Sequence, residues 1–311
     1  MGGPYHARMT NDQRKNEAES NRGPFQAGDI ALMYDRRRRR YRVPLRKGER
    51  FSSHLGAIDH DDIIGRNEGF VIQTSKGHRV VILRPTFRER VLDIPRQSQV
   101  IYPKDLGTLL LRLDTYPGAR VIESGLGSGA ASAAILRAIG PAGALTSYEV
   151  REEIIEKARA NIRELAPEAT NHSVVIADAY ETGFAETEVD RILLDLPEPW
   201  QMTDYAAKAL RNGGILAAYI PTILQVHKVT MALTQDTRWR LVETIEVIER
   251  PWHVTDASVR PDHRMVAHTG FITTARRCEP SGLSEMVIES RGKIAPSKGE
   301  DHEPKPSSSD G

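Results

Sequence analysis

Glycines, acids and prolines at strand ends carry the chemistry-bearing pattern of this chain. The segment Val121-Ile122-Glu123-Ser124-Gly125-Leu126-Gly127-Ser128-Gly129-Ala130 closes an apolar run and opens an alanine-rich one. Glycines at such a junction let backbone approach a ligand closely, and the free amides of a helix start attract negative charge. Glu149 comes twenty residues after Gly129, at the end of the next apolar run. A carboxylate there can hold both hydroxyls of a ribose. Asp178 comes directly after the run Ser173–Ala177. It could accept a hydrogen bond from an exocyclic adenine amine, with the amide of Ala179 meeting the ring nitrogen. An Asp in that place is also an ordinary helix cap or turn former.

Three readings of the glycine loop stay open on spacing alone. It can be a tight structural turn. Gly125, Gly127 and Ala130 also satisfy G-x-G-x-x-A, the nicotinamide dinucleotide pattern. The acid at Glu123, two residues before the first glycine, favours S-adenosylmethionine (SAM), because an acid there organises the loop and the cationic methionine end.

The most informative stretch is Arg191-Ile192-Leu193-Leu194-Asp195-Leu196-Pro197-Glu198-Pro199-Trp200. An apolar strand delivers Asp195 to a sheet edge. Two prolines stiffen the loop after it, each fixing its own φ and restricting the residue before it. Trp200 adds a flat apolar surface. The plainer reading is a proline-terminated strand with a buried Trp. The chemical reading is a rigid acid beside an aromatic wall, suited to a planar, nitrogen-rich substrate such as a nucleobase. Such an acid is not the nucleophile. It would accept an exocyclic N–H and stabilise positive charge developing on the ring.

The elements that must position these residues are set by a change of texture near residue 97. Before it, residues 26–95 read as short strands at Ile30–Tyr34, Tyr41–Leu45, Gly69–Gln73 and Arg79–Arg84, a small β-barrel or sandwich. After it, apolar runs at Arg120–Glu123, Ala144–Glu149, Ser173–Ala177, Arg191–Asp195, Ile215–Ile220, Leu241–Val247 and Thr269–Thr274 alternate with helical stretches such as Ala130–Ile139 and Arg151–Leu165. That alternation predicts a mostly parallel, doubly wound sheet, with the last two strands an antiparallel pair at one edge. Residues 96–278 form this second domain, and the polar ends 1–25 and 279–311 read as disordered tails.

Composition bounds the rest. The chain has 311 residues, 39% of them hydrophobic, enough for a sizeable core. One cysteine, Cys278, excludes a disulfide framework. No apolar run approaches the length of a membrane span, and the polar start carries no secretory signal, so a cytoplasmic enzyme is expected. His172, His253 and His263 lack ligand spacing, and no metal is expected. The net charge is +1, yet residues 1–100 carry 20 Lys+Arg against 12 Asp+Glu. Nine basic residues lie within 36–50, with Arg36, Arg37, Arg38, Arg39 and Arg40 consecutive and Arg42 close behind. A solvated surface turn would explain them. Guanidinium pairing with phosphate oxygens would make them an RNA-contacting patch.

With these segments the chain resembles the tRNA (adenine-N1)-methyltransferases that modify nucleotide 58 of the T-loop, over roughly residues 27–277. The marks are Gln99-Val100-Ile101-Tyr102-Pro103-Lys104-Asp105, the glycine loop, Ser147-Tyr148-Glu149, Asp195-Leu196-Pro197-Glu198-Pro199-Trp200, Ala218-Tyr219-Ile220-Pro221 and Ala267-His268-Thr269-Gly270-Phe271. The glycine loop is common to many methyltransferases, whereas Y-P-K-D together with D-L-P-E-P-W is far more specific. The resemblance implies an α/β, class I SAM-dependent methyltransferase fold: a Rossmann-like, seven-stranded, mostly parallel sheet preceded by a small all-β domain. It also implies tRNA as substrate and a prokaryotic homotetramer. Carried over, Ile101 and Tyr102 cover the cofactor. Glu123, Gly125, Leu126, Gly127, Ser128, Gly129 and Ala130 hold its methionine end. Glu149 takes the ribose, and Asp178 with Ala179 takes the adenine. Asp195 binds the target base beside the donor, with Tyr102 and Tyr219 closing around it. The rivals are a non-catalytic RNA-binding subunit, a protein-carboxylate methyltransferase and, weakest, a nicotinamide oxidoreductase.

Overall fold

The computed structural model describes residues 23–95 and 99–280. The tails expected at 1–25 and 279–311 therefore lie almost wholly outside the described residues. In chain order the strands and helices are β1 (Ile30–Asp35), β2 (Arg40–Pro44), β3 (Arg50–Ser53), β4 (Gly56–Asp59), β5 (Phe70–Gln73), β6 (Arg79–Leu83), α1 (Phe87–Asp93), α2 (Pro103–Arg112), β7 (Arg120–Ser124), α3 (Ala130–Ile139), β8 (Ala144–Glu149), α4 (Glu152–Leu165), β9 (His172–Ile176), α5 (Ala179–Thr182), β10 (Val189–Leu194), α6 (Thr203–Ala209), β11 (Leu210–Ile220), α7 (Ile223–Gln235), β12 (Trp239–Glu246), β13 (Trp252–Thr255), β14 (Ser258–Pro261) and β15 (Phe271–Arg277).

The first unit is a four-stranded antiparallel sheet in the order β2-β1-β6-β5, with the β3–β4 hairpin beside it. Met33, Val43, Leu45, Val80 and Ile82 fill its interior together with Phe25, Ile58 and Ile63. Both expected ends of this unit move. Phe25 is 1% exposed, so the packed structure begins before residue 26. At the other end, Val91 and Ile94 pack into the core of the larger unit, so α1 belongs there. The chain passes between the two at Arg84-Pro85-Thr86, where Thr86 and Glu89 form a capping box that starts α1.

The larger unit is a seven-stranded sheet in the order β12-β15-β11-β10-β7-β8-β9. Strands β11, β10, β7, β8 and β9 are parallel, and β15 runs antiparallel to both β11 and β12. The sheet is sandwiched between two apolar layers. One contains Leu106, Leu109, Ile135, Ile139, Ile155 and Ile162; the other contains Met202, Ala206, Val226, Val229 and Leu233. Along α4 the buried Ile154, Ile155, Ala158, Ile162 and Leu165 recur at helical spacing, which turns one face to the sheet. The strand order reverses between β10 and β7, where open α/β sheets form a crevice beyond their carboxyl ends.

Candidate active site

Four acids stand at the carboxyl ends of the four adjacent strands β10, β7, β8 and β9: Asp195, Glu123, Glu149 and Asp178. Beyond these ends lies a cleft of about 620 Å³. Ser124, Gly125 and Gly127 form its floor, Glu149 and Arg151 one side, and Asp178, Ala179 and Tyr180 the next. Asp195, Leu196 and Pro197 close the far side with Pro221 and Gln225.

The glycine loop is sewn to its neighbours through backbone. Gly125 N–H donates to the Tyr148 carbonyl at 2.9 Å, and Asp195 N–H donates to the Ser124 carbonyl at 2.8 Å. Gly125 has φ +96°, and a Cβ there would lie 2.2 Å from the Asp195 carbonyl oxygen. Glycine is required at this point on both counts. Gly129 caps α3 at φ +79°, where a Cβ would come within 2.8 Å of the Ala158 carbonyl in α4.

Each acid has a different task. Glu123 is fully buried beneath the loop, and its Oε2 accepts from Ser132 and Ser147, both at 2.6 Å. Burial, and secondarily Asp195 and Glu149 nearby, push it up to about 7 against the two serines. It ties β7 to α3 and β8 through these serines and does not line the cleft. Burial would also raise Glu149, but the guanidinium and amide of Arg151 and the amide of Gly127 hold it below the usual range. Asp178 caps α5 by accepting from Tyr180 N–H at 2.9 Å through Oδ1. It is therefore a helix cap and a cleft residue at once. The carboxylate of Asp195 makes no side-chain hydrogen bond among the described residues. Burial first, then Glu149, raises it to about 7, with Arg151 opposing.

The structure brings Gly125, Gly127, Glu149, Asp178, Ala179 and Asp195 together around the cleft. Ile101, Leu126 and Ala130 do not reach it; they are buried in the apolar core behind the loop. The carbonyl of Ser128 accepts from Asn161 Nδ2 at 3.0 Å, which ties the loop to α4. Tyr102 is partly buried at the start of α2. Trp200 packs in the second core, with Lys228 Nζ 4.6 Å above its ring.

Tyr219 is 8% exposed and ends in a buried polar cluster. Its hydroxyl donates to Asp105 Oδ2 at 3.3 Å, and Thr269 donates to the same oxygen at 2.6 Å. Lys104 Nζ contacts Asp105 Oδ1 at 2.9 Å and the Val247 carbonyl at 2.6 Å. Gly270 makes room for the ring, since a Cβ there would lie 2.6 Å from Tyr219 Cζ. His268 bridges Glu246 and the Pro221 carbonyl, both at 2.7 Å, as a hydrogen-bonded structural histidine. Three marker segments thus meet around one tyrosine. Asp105→Ala would leave the buried Lys104 ammonium uncompensated, and about 3–5 kcal/mol of stability is expected to go with it. A urea unfolding curve checks this; a loss below about 1 kcal/mol would contradict the buried pair.

Residues not anticipated from sequence are Arg151, Tyr180 and the Lys104–Asp105–Thr269 cluster. Arg151 and Tyr180 each stand two positions after a recognised acid, which was the available signal.

Comparison with known proteins places the chain in a family. Residues 78–269 match the tRNA methyltransferase complex GCD14 subunit family, and residues 23–72 match the TrmI-like N-terminal family. A tRNA (adenine(58)-N(1))-methyltransferase TrmI of Thermus thermophilus is 34% identical over 250 residues, covering 80% of this chain and 97% of that one. The chain belongs to the GCD14/TrmI family. Among solved structures, a tRNA (m1A58) methyltransferase TrmI of Aquifex aeolicus superposes with a TM-score of 0.73 at 26% identity, covering 82% of this chain and 99% of that one. A SAM-dependent O-methyltransferase of Thermotoga maritima superposes with a TM-score of 0.77 at 33% identity, covering 82% and 95%. The match beginning at residue 23 agrees with the burial of Phe25.

Proposed function

We propose that this chain transfers the methyl group of SAM to N1 of adenine 58 in the tRNA T-loop, with Asp195 as the residue that holds the target base. The residues present suit that cofactor. The Gly125 cradle leaves no space for a Cβ, Glu149 is held ionised for two ribose hydroxyls, and Asp178 uses Oδ1 for its cap, with no hydrogen bond to Oδ2 among the described residues. When bound, SAM supplies an electrophilic sulfonium methyl. The neutral N1 of adenine has a lone pair and no proton, so no general base is needed. Asp195 accepts an N–H from the exocyclic amine and stabilises the ring as it gains positive charge. Tyr102 and Tyr219 do not line the cleft, and Tyr219 keeps its hydroxyl on Asp105, so the base-contacting role is left to Asp195. N1 lies on the Watson–Crick edge, so the nucleotide must leave its stack at a cost of a few kcal/mol.

The observation that carries this reading is the Asp195 carboxylate, without a side-chain hydrogen bond among the described residues and fixed by the Ser124 backbone beside the glycine loop. Incubating unmodified tRNA with enzyme and SAM, then mapping methylated nucleosides by mass spectrometry, tests it. N1-methyladenosine at position 58, absent when that position is uridine, is expected. Methyl transfer to protein carboxyls instead would overturn it.

The β-domain, residues 23–83 by its packing, supplies phosphate contacts in this reading. The arginine cluster divides in two. Arg39 pairs with Asp35, Arg40 with Asp93 and Arg42 with Glu164. The last two tie the β-domain to α1 and α4. Arg36, Arg37 and Arg38 stand exposed in the β1–β2 turn, and they are the phosphate-contacting set. Neutralising these three is expected to weaken tRNA binding and flatten its salt dependence by about one unit of log–log slope per lost contact. Binding titrations between 50 and 300 mM salt (roughly the range where such slopes are read) check this; an unchanged slope contradicts it.

A homotetramer completes the proposal. The β13–β14 hairpin leaves Trp252, Val254 and Val259 at 59%, 68% and 70% exposed, an apolar surface that a neighbouring copy would cover. A cytoplasmic location accords with the tRNA substrate. Among the described residues no helix is long and apolar enough to cross a membrane.

A further inference from the structure

The cleft has two walls that serve different ligands, and one side chain joins them. The first wall is the start of α5, where Asp178 and Ala179 face the adenine of the cofactor in the methyl-transfer reading. The second is the loop Asp195-Leu196-Pro197-Glu198, which presents the base-binding carboxylate. Tyr180 belongs to the first wall, and its N–H donates to Asp178 Oδ1 at 2.9 Å. Its hydroxyl accepts from Glu198 N–H at 2.9 Å, in the second. The ring packs with Leu196 and Trp200 in one apolar cluster. From the opposite side Gln225 Nε2 donates to the Pro197 carbonyl at 2.7 Å, while its Oε1 accepts from Thr222 at 2.6 Å. The loop is thus gripped at consecutive residues, by Gln225 from α7 and by Tyr180 from the cofactor wall.

We infer that Tyr180 is a positioning residue that couples cofactor occupancy to the setting of the base-binding loop, so that tRNA binds more tightly to the cofactor-loaded enzyme. This rests on the methyl-transfer reading. The physical reason lies in α5 itself. It is a single turn, Ala179–Thr182, ended by Gly183. One turn fixes several dihedrals for few hydrogen bonds and has little stability of its own. A ligand that contacts Asp178 and Ala179 therefore favours the ordered turn. The ordered turn sets the Tyr180 hydroxyl where it holds Glu198. A ligand shifts such an equilibrium only by its differential contacts, and those contacts are made at the residues adjoining Tyr180. By linkage the effect is reciprocal: tRNA must tighten the cofactor by the same factor.

The test is tRNA binding with and without saturating S-adenosylhomocysteine, using unmodified tRNA, for the wild type and Tyr180→Phe. The Phe variant keeps the ring in its cluster and removes only the acceptor for the exposed Glu198 amide. For the wild type, S-adenosylhomocysteine is expected to lower the tRNA Kd about fivefold or more, the lower range of allosteric couplings. For Tyr180→Phe the factor is expected to fall to within about twofold of unity, with S-adenosylhomocysteine raised to saturation against the variant's own affinity measured without tRNA. Gln225→Leu, which releases the other grip, is expected to raise the tRNA Kd in both states and leave most of the coupling in place. Full coupling in Tyr180→Phe, or none in the wild type, overturns the inference. Failure of the wild type to bind tRNA in either state overturns the methyl-transfer reading and this inference with it.

Discussion

Asp195→Ala is expected to lower the single-turnover rate of methyl transfer by about 10²–10³-fold, the usual cost of removing one preorganised electrostatic group from a transition state. Cofactor affinity is expected to survive largely intact, because Glu149 and the Asp178–Ala179 corner are untouched. Rapid-quench assays at saturating SAM, paired with calorimetric SAM titrations, separate the two quantities. An equal loss of binding and turnover would contradict the role given to Asp195. The pH dependence has a definite sign. The carboxyl is raised to about 7 in the folded, ligand-free chain, from an ordinary value near 4. Between those values the unfolded chain has lost this proton while the folded chain keeps it, so stability falls as pH rises from about 4 to about 7. Asp195→Asn removes that penalty. Its melting temperature is expected to exceed the wild type's by more at pH 8 than at pH 5, in the absence of SAM. Activity changes in the opposite sense, since only the ionised carboxylate accepts the amine N–H, and the wild-type rate should rise through pH 7.

Gly125→Ala has the second largest expected effect, and it acts on the whole site. The position needs φ +96°, which costs an L-residue roughly 1–2 kcal/mol. The new methyl would also meet the Asp195 carbonyl at 2.2 Å, and overpacking of this kind typically costs about 1–3 kcal/mol. The oxygen is backbone, so it cannot rotate away. Either the glycine loop or the Asp195 loop must shift, and both ligands lose their walls together. A lower melting temperature by several degrees and a SAM affinity reduced by at least about tenfold are expected. Gly125→Ala with wild-type SAM binding would show that the close approach of these loops is not what shapes the cleft. Gly118, whose φ is +94° with open space around it, provides the control for backbone strain without a clash.

The acids of the site were legible because each ends an apolar run, and a parallel sheet puts the ends of such runs side by side. The Asp195 segment was the clearest, its prolines and Trp200 marking a loop held stiff for a purpose. What adjacency in the chain does not carry is which polar groups will meet across the fold. Arg40 and Arg42 sit in a run that reads as one phosphate-binding patch, yet their partners Asp93 and Glu164 lie 53 and 122 residues away. The run therefore splits into contacts that hold the domains and a turn left to solvent. Ile101, Leu126 and Ala130 illustrate the converse. They lie inside the right motifs, but they are buried in the apolar core, and of the glycine loop only Ser124, Gly125 and Gly127 line the cleft. The β3–β4 hairpin was missed because four-residue strands rich in Ser and Gly carry little alternation. The β13–β14 hairpin was missed because its apolar residues lie exposed rather than on an inward face. Tyr180 was unreadable for another reason: its hydroxyl serves a backbone amide, and no sequence pattern marks such a partner.

The central claim is that the Asp195 carboxylate acts through the exocyclic amine of the target adenine. The most direct test is a tRNA carrying purine ribonucleoside at position 58, which keeps N1 and lacks that amine. Single-turnover methyl transfer is measured for the wild type and Asp195→Ala on this tRNA and on the adenine form. With adenine the wild type should be about 10²–10³-fold faster; with purine the two enzymes should react at nearly equal, low rates. A wild-type advantage that persists undiminished on the purine substrate would contradict the claim.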